Sequence, residues 1–317
     1  MVRLEKSGSD YFDFRIPRIV ATEQGSLLRY CECRKTHGDW AEIDIKICRS
    51  EDAGESWQTV LMIDGGGNTM NNPVMFVDGE RLVFLYCKNY KEIWKCDSTD
   101  DGRSFGNPVR VDFEGNVDFF YNVVALGPGH GIVHNGRLIV PVWFAYNEED
   151  PKSHHPSKIA TFYSDDQGAS WQVGEVIYPD VLINPSECAL AVTADGEFLI
   201  SIRHEGEART RGLAKSVDGI SNWRELRFEE KLCDPVCMGS MTHREGRIYH
   251  VNCDATEERV NLTVKISDDC FATYRSILIS EKGGYADLAL LGEKICVFYE
   301  KKNEMGAYEL YFDKIEF

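Results

Sequence analysis

One phrase, Ser-x-Asp-x-Gly-x-x-Trp, constrains this chain more than any other feature, because it recurs five times, intact or in variant form. It is intact at Ser50-Glu51-Asp52-Ala53-Gly54-Glu55-Ser56-Trp57 and at Ser164-Asp165-Asp166-Gln167-Gly168-Ala169-Ser170-Trp171. Phe105 replaces the Trp in the copy that begins at Ser98, and degenerate copies run from Ser216 to Trp223 and from Ser267 to Tyr274. A unit that returns about every 50 residues, with strand-like runs between copies, describes a solenoid or propeller built from one repeated module. The phrase has a mechanical reason to recur. A short Asp bonds the amides of its own turn, Gly supplies a positive φ, and the aromatic ring buries against the sheet, so the hairpin is pinned from both sides. It marks a turn and not a catalyst.

The intervening runs are strand-like. Leu82–Tyr86, Arg137–Trp143, Glu197–Ile202 and Lys294–Tyr299 each follow an Asp-Gly, Asn-Gly or Gly-Glu turn, which is hairpin grammar. No segment of ten or more residues has convincing helical periodicity. The prediction is an all-β, six-bladed β-propeller of four-stranded antiparallel blades, forming one domain over residues 1–317. Tyr308–Phe312 is expected to close the ring beside the N-terminal segment. No Pro/Gly/Ser-rich linker or low-complexity tract divides the chain.

A formal charge of −17 argues against nucleic acid or an anionic membrane as partner. No run of eighteen apolar residues appears, and Met1–Ser7 lacks the apolar core of a signal peptide, so a cytoplasmic location is expected. The eleven cysteines are odd in number and mostly set in apolar strands, which favours reduced core thiols over a disulfide framework. Cys233 and Cys237 have no further Cys or His at ligand spacing, so neither a metal nor a cofactor is expected.

The motifs and their order resemble the sialidase superfamily. The repeated phrase resembles the Asp box of those propellers, and Phe14-Arg15-Ile16-Pro17 resembles the motif with which sialidases begin. By that resemblance Arg15 is the first of three arginines that converge on a substrate carboxylate, a task suited to permanently charged planar forks. Arg211 and Arg259, each near the start of a run leading into a box, are the expected second and third, with Arg209 a competitor for Arg211. One arginine considered alone is more often half of a surface ion pair; three in family order favour the clamp.

Glu32-Cys33-Arg34 resembles the family's Ala-Glu-x-Arg segment, and strand alternation places Glu32 and Arg34 on one face. Asp39, in the following loop, matches the family's general acid and base, whereas Asp44 is expected to be structural. Leu126–Ile132, followed by Gly136–Pro141, resembles the family's middle blades, with His130 expected to be a packed, hydrogen-bonded residue. Trp143 begins an aromatic stretch that resembles the wall receiving a glycerol or N-acyl arm, with core packing as the rival reading.

Gly284-Tyr285-Ala286-Asp287-Leu288, followed by Val297–Glu300, resembles the segments that carry the family's tyrosine nucleophile, which makes Tyr285 the candidate. A phenol avoids the repulsion that a carboxylate would meet at an anomeric centre bearing its own carboxylate, and sialidases are the tyrosine exception among glycosidases. A tyrosine with a pKa near ~10 needs an adjacent base. The chain departs from the family here, because Val192 stands where the activating Glu is expected. Glu187 matches an earlier acid of the same segment, and Glu205 and Glu207 are further possibilities.

The resemblance implies an exo-α-sialidase, a retaining glycoside hydrolase acting on a small-molecule or oligosaccharide substrate that bears a carboxylate. Two alternatives stay open. One is a glycosidase or lyase of the same fold for a deaminated nonulosonic or uronic acid. The other is a sugar-acid-binding propeller without chemistry, against which the joint presence of Asp39 and Tyr285 speaks. Oligomeric state is not legible in the sequence.

Overall fold

Six β-sheets succeed one another along the chain, and each repeated phrase is the hairpin between the third and fourth strands of one sheet. The computed structural model describes residues 1–115, 117–127, 129–178 and 180–316. Pro128, within one of the family-like segments, lies outside the described residues.

The N-terminal strand is β1 (Val2–Glu5). Blade I follows, with β2 (Asp13–Ala21), β3 (Leu27–Arg34), β4 (Ile43–Ser50) and β5 (Gln58–Ile63). Blade II holds β6 (Met70–Asp78), β7 (Arg81–Lys88), β8 (Glu92–Ser98) and β9 (Val109–Val111). Blade III is larger, with β10 (Phe113–Gly115), β11 (Val123–Leu126), β12 (Ile132–His134), β13 (Arg137–Ala145), β14 (Ser157–Ser164) and β15 (Trp171–Val173). Blade IV comprises β16 (Cys188–Val192), β17 (Phe198–Ile202), β18 (Thr210–Ser216) and β19 (Arg224–Cys233). Blade V comprises β20 (Ser240–Arg244), β21 (Arg247–Cys253), β22 (Val260–Ser267) and β23 (Arg275–Lys282). Blade VI has β24 (Ala286–Leu291), β25 (Lys294–Lys302) and β26 (Tyr308–Glu316).

The molecule is a six-bladed β-propeller, as the repeat predicts, and no helix occurs among the described residues. Five sheets have four strands. Blade III elaborates the expected plan: its innermost strand is split into β11 and β12, and short β10 runs parallel to β15 at the outer edge. The ring closes where β26 pairs with β1, so the fourth strand of blade VI comes from the start of the chain. This closure explains why six blades carry only five boxes. The turn between third and fourth strands does not exist in blade VI, because those strands belong to opposite ends of the chain.

Each box is built as its sequence suggests. In the first, Ser50 donates to Asp52 at 2.7 Å, the Gly54 amide donates to Ser50 at 2.8 Å, and Ser56 donates to Asp52 from its amide and hydroxyl at 2.9 and 2.6 Å. Gly54 has φ +85°, and a Cβ there would lie 2.5 Å from the Phe312 ring of blade VI, so both backbone and space require glycine. Trp57 meets Phe312 edge-on at 5.6 Å, joining blade I to its neighbour.

The core is divided among the blade interfaces. Leu28, Tyr30 and Ile47 of blade I pack with Met75, Phe84 and Tyr86 of blade II, and comparable clusters lie between every other adjacent pair. This distribution lets more than 300 residues keep short packing distances without one oversized core. It also leaves the inner strands free to point residues toward the axis.

Candidate active site

Two inner strands break their regular pairing at the axis. Between Arg15 and Arg18 the β2/β3 register shifts, and Ile16 takes φ +56°, an unusual conformation for a β-branched side chain. The β6/β7 register shifts similarly around Asn72, which has φ +49°. Both residues precede a proline, and both line one cavity of about 180 Å³. Local strain of this kind persists only where surrounding structure over-determines it, and here it accompanies inner-strand residues brought to the same hollow.

Tyr285, immediately before β24, is buried in the floor of that cavity. Its hydroxyl donates to Glu187 Oε2 at 2.7 Å and accepts from Arg203 Nη1 at 3.1 Å. Arg203 also pairs directly with Glu187. Burial works against the charged form of Glu187, but the Arg203 charge, the Tyr285 hydroxyl and Arg259 outweigh it and hold the carboxyl below its usual range. Burial pushes the Tyr285 phenol up and the Glu187 charge adds to this, while Arg203, Arg259 and Arg15 oppose it. The resting pair is therefore a neutral phenol hydrogen-bonded to a carboxylate.

Two further guanidiniums face the same ring. Arg15 lies 4.9 Å and Arg259 5.2 Å from the Tyr285 ring centre. Arg15 is fixed by a two-point bond to buried Glu300, at 3.1 Å from Nε and 2.7 Å from Nη2. Glu300 Oε1 also accepts the Tyr285 amide at 3.2 Å, so one carboxylate orients both residues. Gly284 is required between them, because a Cβ there would lie 2.8 Å from that oxygen. Among the described residues no carboxylate pairs with Arg259.

On the opposite wall, Glu32 Oε2 accepts two bonds from Arg34, at 3.0 and 2.6 Å, and Glu32 Oε1 accepts the Asn72 amide at 2.9 Å. Arg34 then donates its remaining terminal nitrogen to Asp39 at 2.8 Å. Asp39 is 46% exposed in its side chain. Its partial burial favours the neutral acid, but Arg34 and then Arg15 dominate and hold it at about 2. Tyr90, Trp143 and His154 form an aromatic wall, with Tyr90 and His154 rings 5.0 Å apart and Trp143 and His154 5.2 Å apart, and Trp40 packs on Tyr90 at 4.8 Å. Trp143 is both a packed core residue and a cavity wall. Among the described residues, its Nε1 and the His154 Nε2 have no hydrogen-bond partner.

The structure brings Arg15, Arg34, Asp39, Trp143, Glu187, Arg259 and Tyr285 to this cavity, with Glu32 behind Arg34. It does not bring Arg211 there. Arg211 lies within β18, completely buried, with bonds to Asp234 at 2.7 Å, the Cys237 carbonyl at 2.9 Å and the Glu187 carbonyl at 3.1 Å. Arg259 differs because it precedes β22 and so extends from a strand end, whereas Arg211 is enclosed by its sheet. Arg203 stands where Arg211 was expected. Its signal was in the hairpin register: Cys188 pairs with Ile202, and the next step outward sets Glu187 opposite Arg203, whose amide donates to the Glu187 carbonyl at 3.1 Å. Val192 is buried within β16 and has no part in the cavity. Asn72, Tyr90 and His154 are further wall residues that the motifs did not reveal.

His130 is packed as expected, with Nδ1 3.0 Å from Asp287, outside this cavity. Glu42, Asp44 and Asp64 form an acidic group elsewhere on blade I, but Asp44 already accepts bonds from Tyr11 at 2.5 Å and Gly65 at 2.8 Å.

A six-bladed propeller with boxed hairpins and a cluster of arginines over a tyrosine defines a class, and sequence and structural comparisons agree with it. Residues 39–305 match the BNR repeat-like domain. A sialidase of Bacteroides fragilis is 25% identical over 336 residues, covering 90% of this chain and 60% of its own length. The chain thus spans less than two thirds of that relative. Hadza microbial sialidase Hz136 superimposes with a TM-score of 0.83 at 21% identity, over 99% of this chain and 68% of its own. A Trypanosoma rangeli sialidase with 2,3-difluorosialic acid, a covalent intermediate, does so with a TM-score of 0.75 at 18% identity, over 98% and 56%. The chain belongs to the BNR-repeat proteins of the sialidase superfamily.

Proposed function

We propose that the protein is an exo-α-sialidase, a retaining glycoside hydrolase that releases terminal sialic acid from short sialosides. The observation that carries this reading is the Tyr285 hydroxyl bonded to ionised Glu187 beneath three guanidiniums, Arg15, Arg203 and Arg259. The three would hold the substrate carboxylate, which sets the anomeric carbon against the phenol. Glu187 accepts the phenol proton as Tyr285 Oη bonds to the anomeric carbon, and Asp39 gives its proton to the departing glycosidic oxygen. In the second half Asp39 takes a proton from water, the water oxygen bonds to the anomeric carbon, and Tyr285 leaves with its proton returned from Glu187. Two displacements retain the configuration.

Asp39 must be protonated to act first, although it rests as a carboxylate. A bound substrate would change this, because its carboxylate offsets the Arg15 charge that depresses Asp39, and the sugar removes water from the half-exposed acid. The aromatic wall, with two ring nitrogens unpaired among the described residues, suits an N-acyl or glycerol arm. The Trypanosoma rangeli protein described above is itself a covalent intermediate with a fluorinated sialic acid, and the reading transfers that chemistry to Tyr285. The departure at Val192 could favour another acidic sugar, but Glu187 beside Tyr285 offers the base that Val192 does not.

The test is release of 4-methylumbelliferone from its α-N-acetylneuraminide by wild type and Tyr285→Phe. Turnover in wild type and its loss in the variant, with inhibitor binding kept, supports the reading. A silent wild type that cleaves the deaminated nonulosonide or a glucuronide moves the substrate to another acidic sugar; retained turnover in Tyr285→Phe removes the nucleophile.

A further inference from the structure

The loop that carries Asp39 is not held by its own backbone. Residues 35–42 join β3 to β4, and the Lys35 amide donates to the Glu42 carbonyl at 3.0 Å across the base of the loop. Among the described residues, no amide from Thr36 to Glu42 donates a hydrogen bond. Side chains hold the loop instead. His37 Nδ1 lies 2.7 Å from Asp13, and Thr69 donates to the Ala41 carbonyl at 2.6 Å. Between these flanks Trp40 Nε1 donates at 3.0 Å to the carbonyl of Lys152, in the loop between β13 and β14, and Lys152 Nζ lies 5.6 Å from the centre of the indole. The indole packs on Tyr90, in the β7/β8 turn, at 4.8 Å and on His154 at 6.1 Å. One side chain of blade I is thus tied to blades II and III, through two residues that line the cavity.

We propose that Trp40 is a positioning residue for Asp39, clamping the loop of the acid to the aromatic wall. The inference rests on the acid role proposed for Asp39 above. Asp39 itself is bonded to Arg34 at 2.8 Å, and that bond draws its strength from the charge on the carboxylate. The bond weakens once Asp39 takes up the proton that it must donate, so the neutral acid needs a support that is not electrostatic. Trp40 follows it directly in the chain and supplies one through ring packing and a neutral hydrogen bond. The indole is not among the residues that line the cavity, so its effect reaches a substrate through Asp39. Misplacing a reacting group by about 1 Å can cost a factor of about 100 in rate, which lets a contact outside the cavity govern turnover.

Trp40→Ala and Trp40→Phe are compared with wild type, and each is also made in an Asp39→Ala background. In Trp40→Ala, kcat for sialyllactose should fall by about 10- to 100-fold with KM little changed, while an aryl sialoside, whose leaving group needs little protonation, should lose distinctly less. Trp40→Phe keeps the ring packing without the bond to Lys152 and should fall between. With Asp39→Ala already present, Trp40→Ala should cost no more than about a further twofold, because the group it positions is gone. Limited trypsin digestion reads the clamp without turnover: cleavage after Lys35 or Lys152, mapped by peptide mass, should be faster in Trp40→Ala, with the melting curve nearly unchanged because the indole is only partly buried. If Trp40→Ala fails to fold, Trp40→Phe carries the same comparisons. Equal losses on both substrates, a full additional loss in the Asp39→Ala background, or unchanged trypsin cleavage would overturn the proposal. A wild type silent on every sialoside instead overturns the function proposed above, and trypsin cleavage then decides the clamp alone.

Discussion

The Tyr285 hydroxyl donates to Glu187 Oε2 at 2.7 Å, although 98 residues separate the two in the chain. Glu187 is held there from both sides, by Arg203 on its carboxylate and by Arg211 on its carbonyl. A phenol, a carboxylate and a guanidinium thus form one buried unit.

Removing the base from that unit should act on the chemical step. Glu187→Gln keeps the shape and a hydrogen-bonding oxygen but cannot take the proton. In steady-state assays kcat should fall by about 10²–10⁴ with KM changed far less. An equal loss in both parameters would point to a binding role instead.

Arg203 and Arg211 should separate in opposite ways. Arg203→Lys retains the charge but loses the planar fork, and should lower kcat/KM by roughly tenfold or more while leaving the melting curve nearly unchanged. Arg211→Met leaves Asp234 buried without its cation and should cost about 3–5 kcal/mol in denaturant unfolding. If Arg211→Met were stable and selectively impaired in substrate binding, Arg211 would belong to the clamp after all.

Asp39→Ala should discriminate between leaving groups. A good leaving group such as a phenolate departs with little proton assistance, whereas a sugar alkoxide needs it. The variant should lose about 10²–10⁴ in the rate of sialyllactose cleavage and distinctly less with an aryl sialoside. Equal losses on both substrates would remove the general-acid assignment.

The boxes should govern acid stability. Asp52, Asp100 and Asp166 are each held at about 2, Asp52 by the Ser56 hydroxyl and amide, Asp166 by the Ser170 amide and hydroxyl, and Asp100, against the opposing effect of burial, by the Ser104 hydroxyl and amide together. Each folded-state value lies below the unfolded value of about 4, so each contributes stability that is present above about pH 4 and lost as pH falls toward about 2. Calorimetry should show Tm declining across that interval. Asp166→Asn should flatten the decline while lowering Tm at neutral pH, and an unaltered slope would mean that other carboxylates control it.

Much of this arrangement was legible locally. Each box contains its own hydrogen bonds within a few residues, so Ser50 to Trp57 announces its turn without reference to anything distant. The same holds for Arg34 beside Glu32, whose contact is set by strand alternation. Arg203 was hidden for a different reason. It carries no motif of its own, and its place follows only from the pairing of β16 with β17, which sets it across from Glu187. Arg211 had the better local setting and the wrong environment, because burial beside Asp234 and Ser201 uses its donors inside the sheet.

The repeated turn, the strand periodicity and the order of the motifs, and with them the propeller, are written in the amino-acid order alone, since they depend on contacts a few residues apart. Which arginines face the axis and which acid meets Tyr285 depend on the assembled ring. Those contacts join different blades, and their distances depend on ring closure between β26 and β1 and on strand register, neither of which any short segment encodes alone.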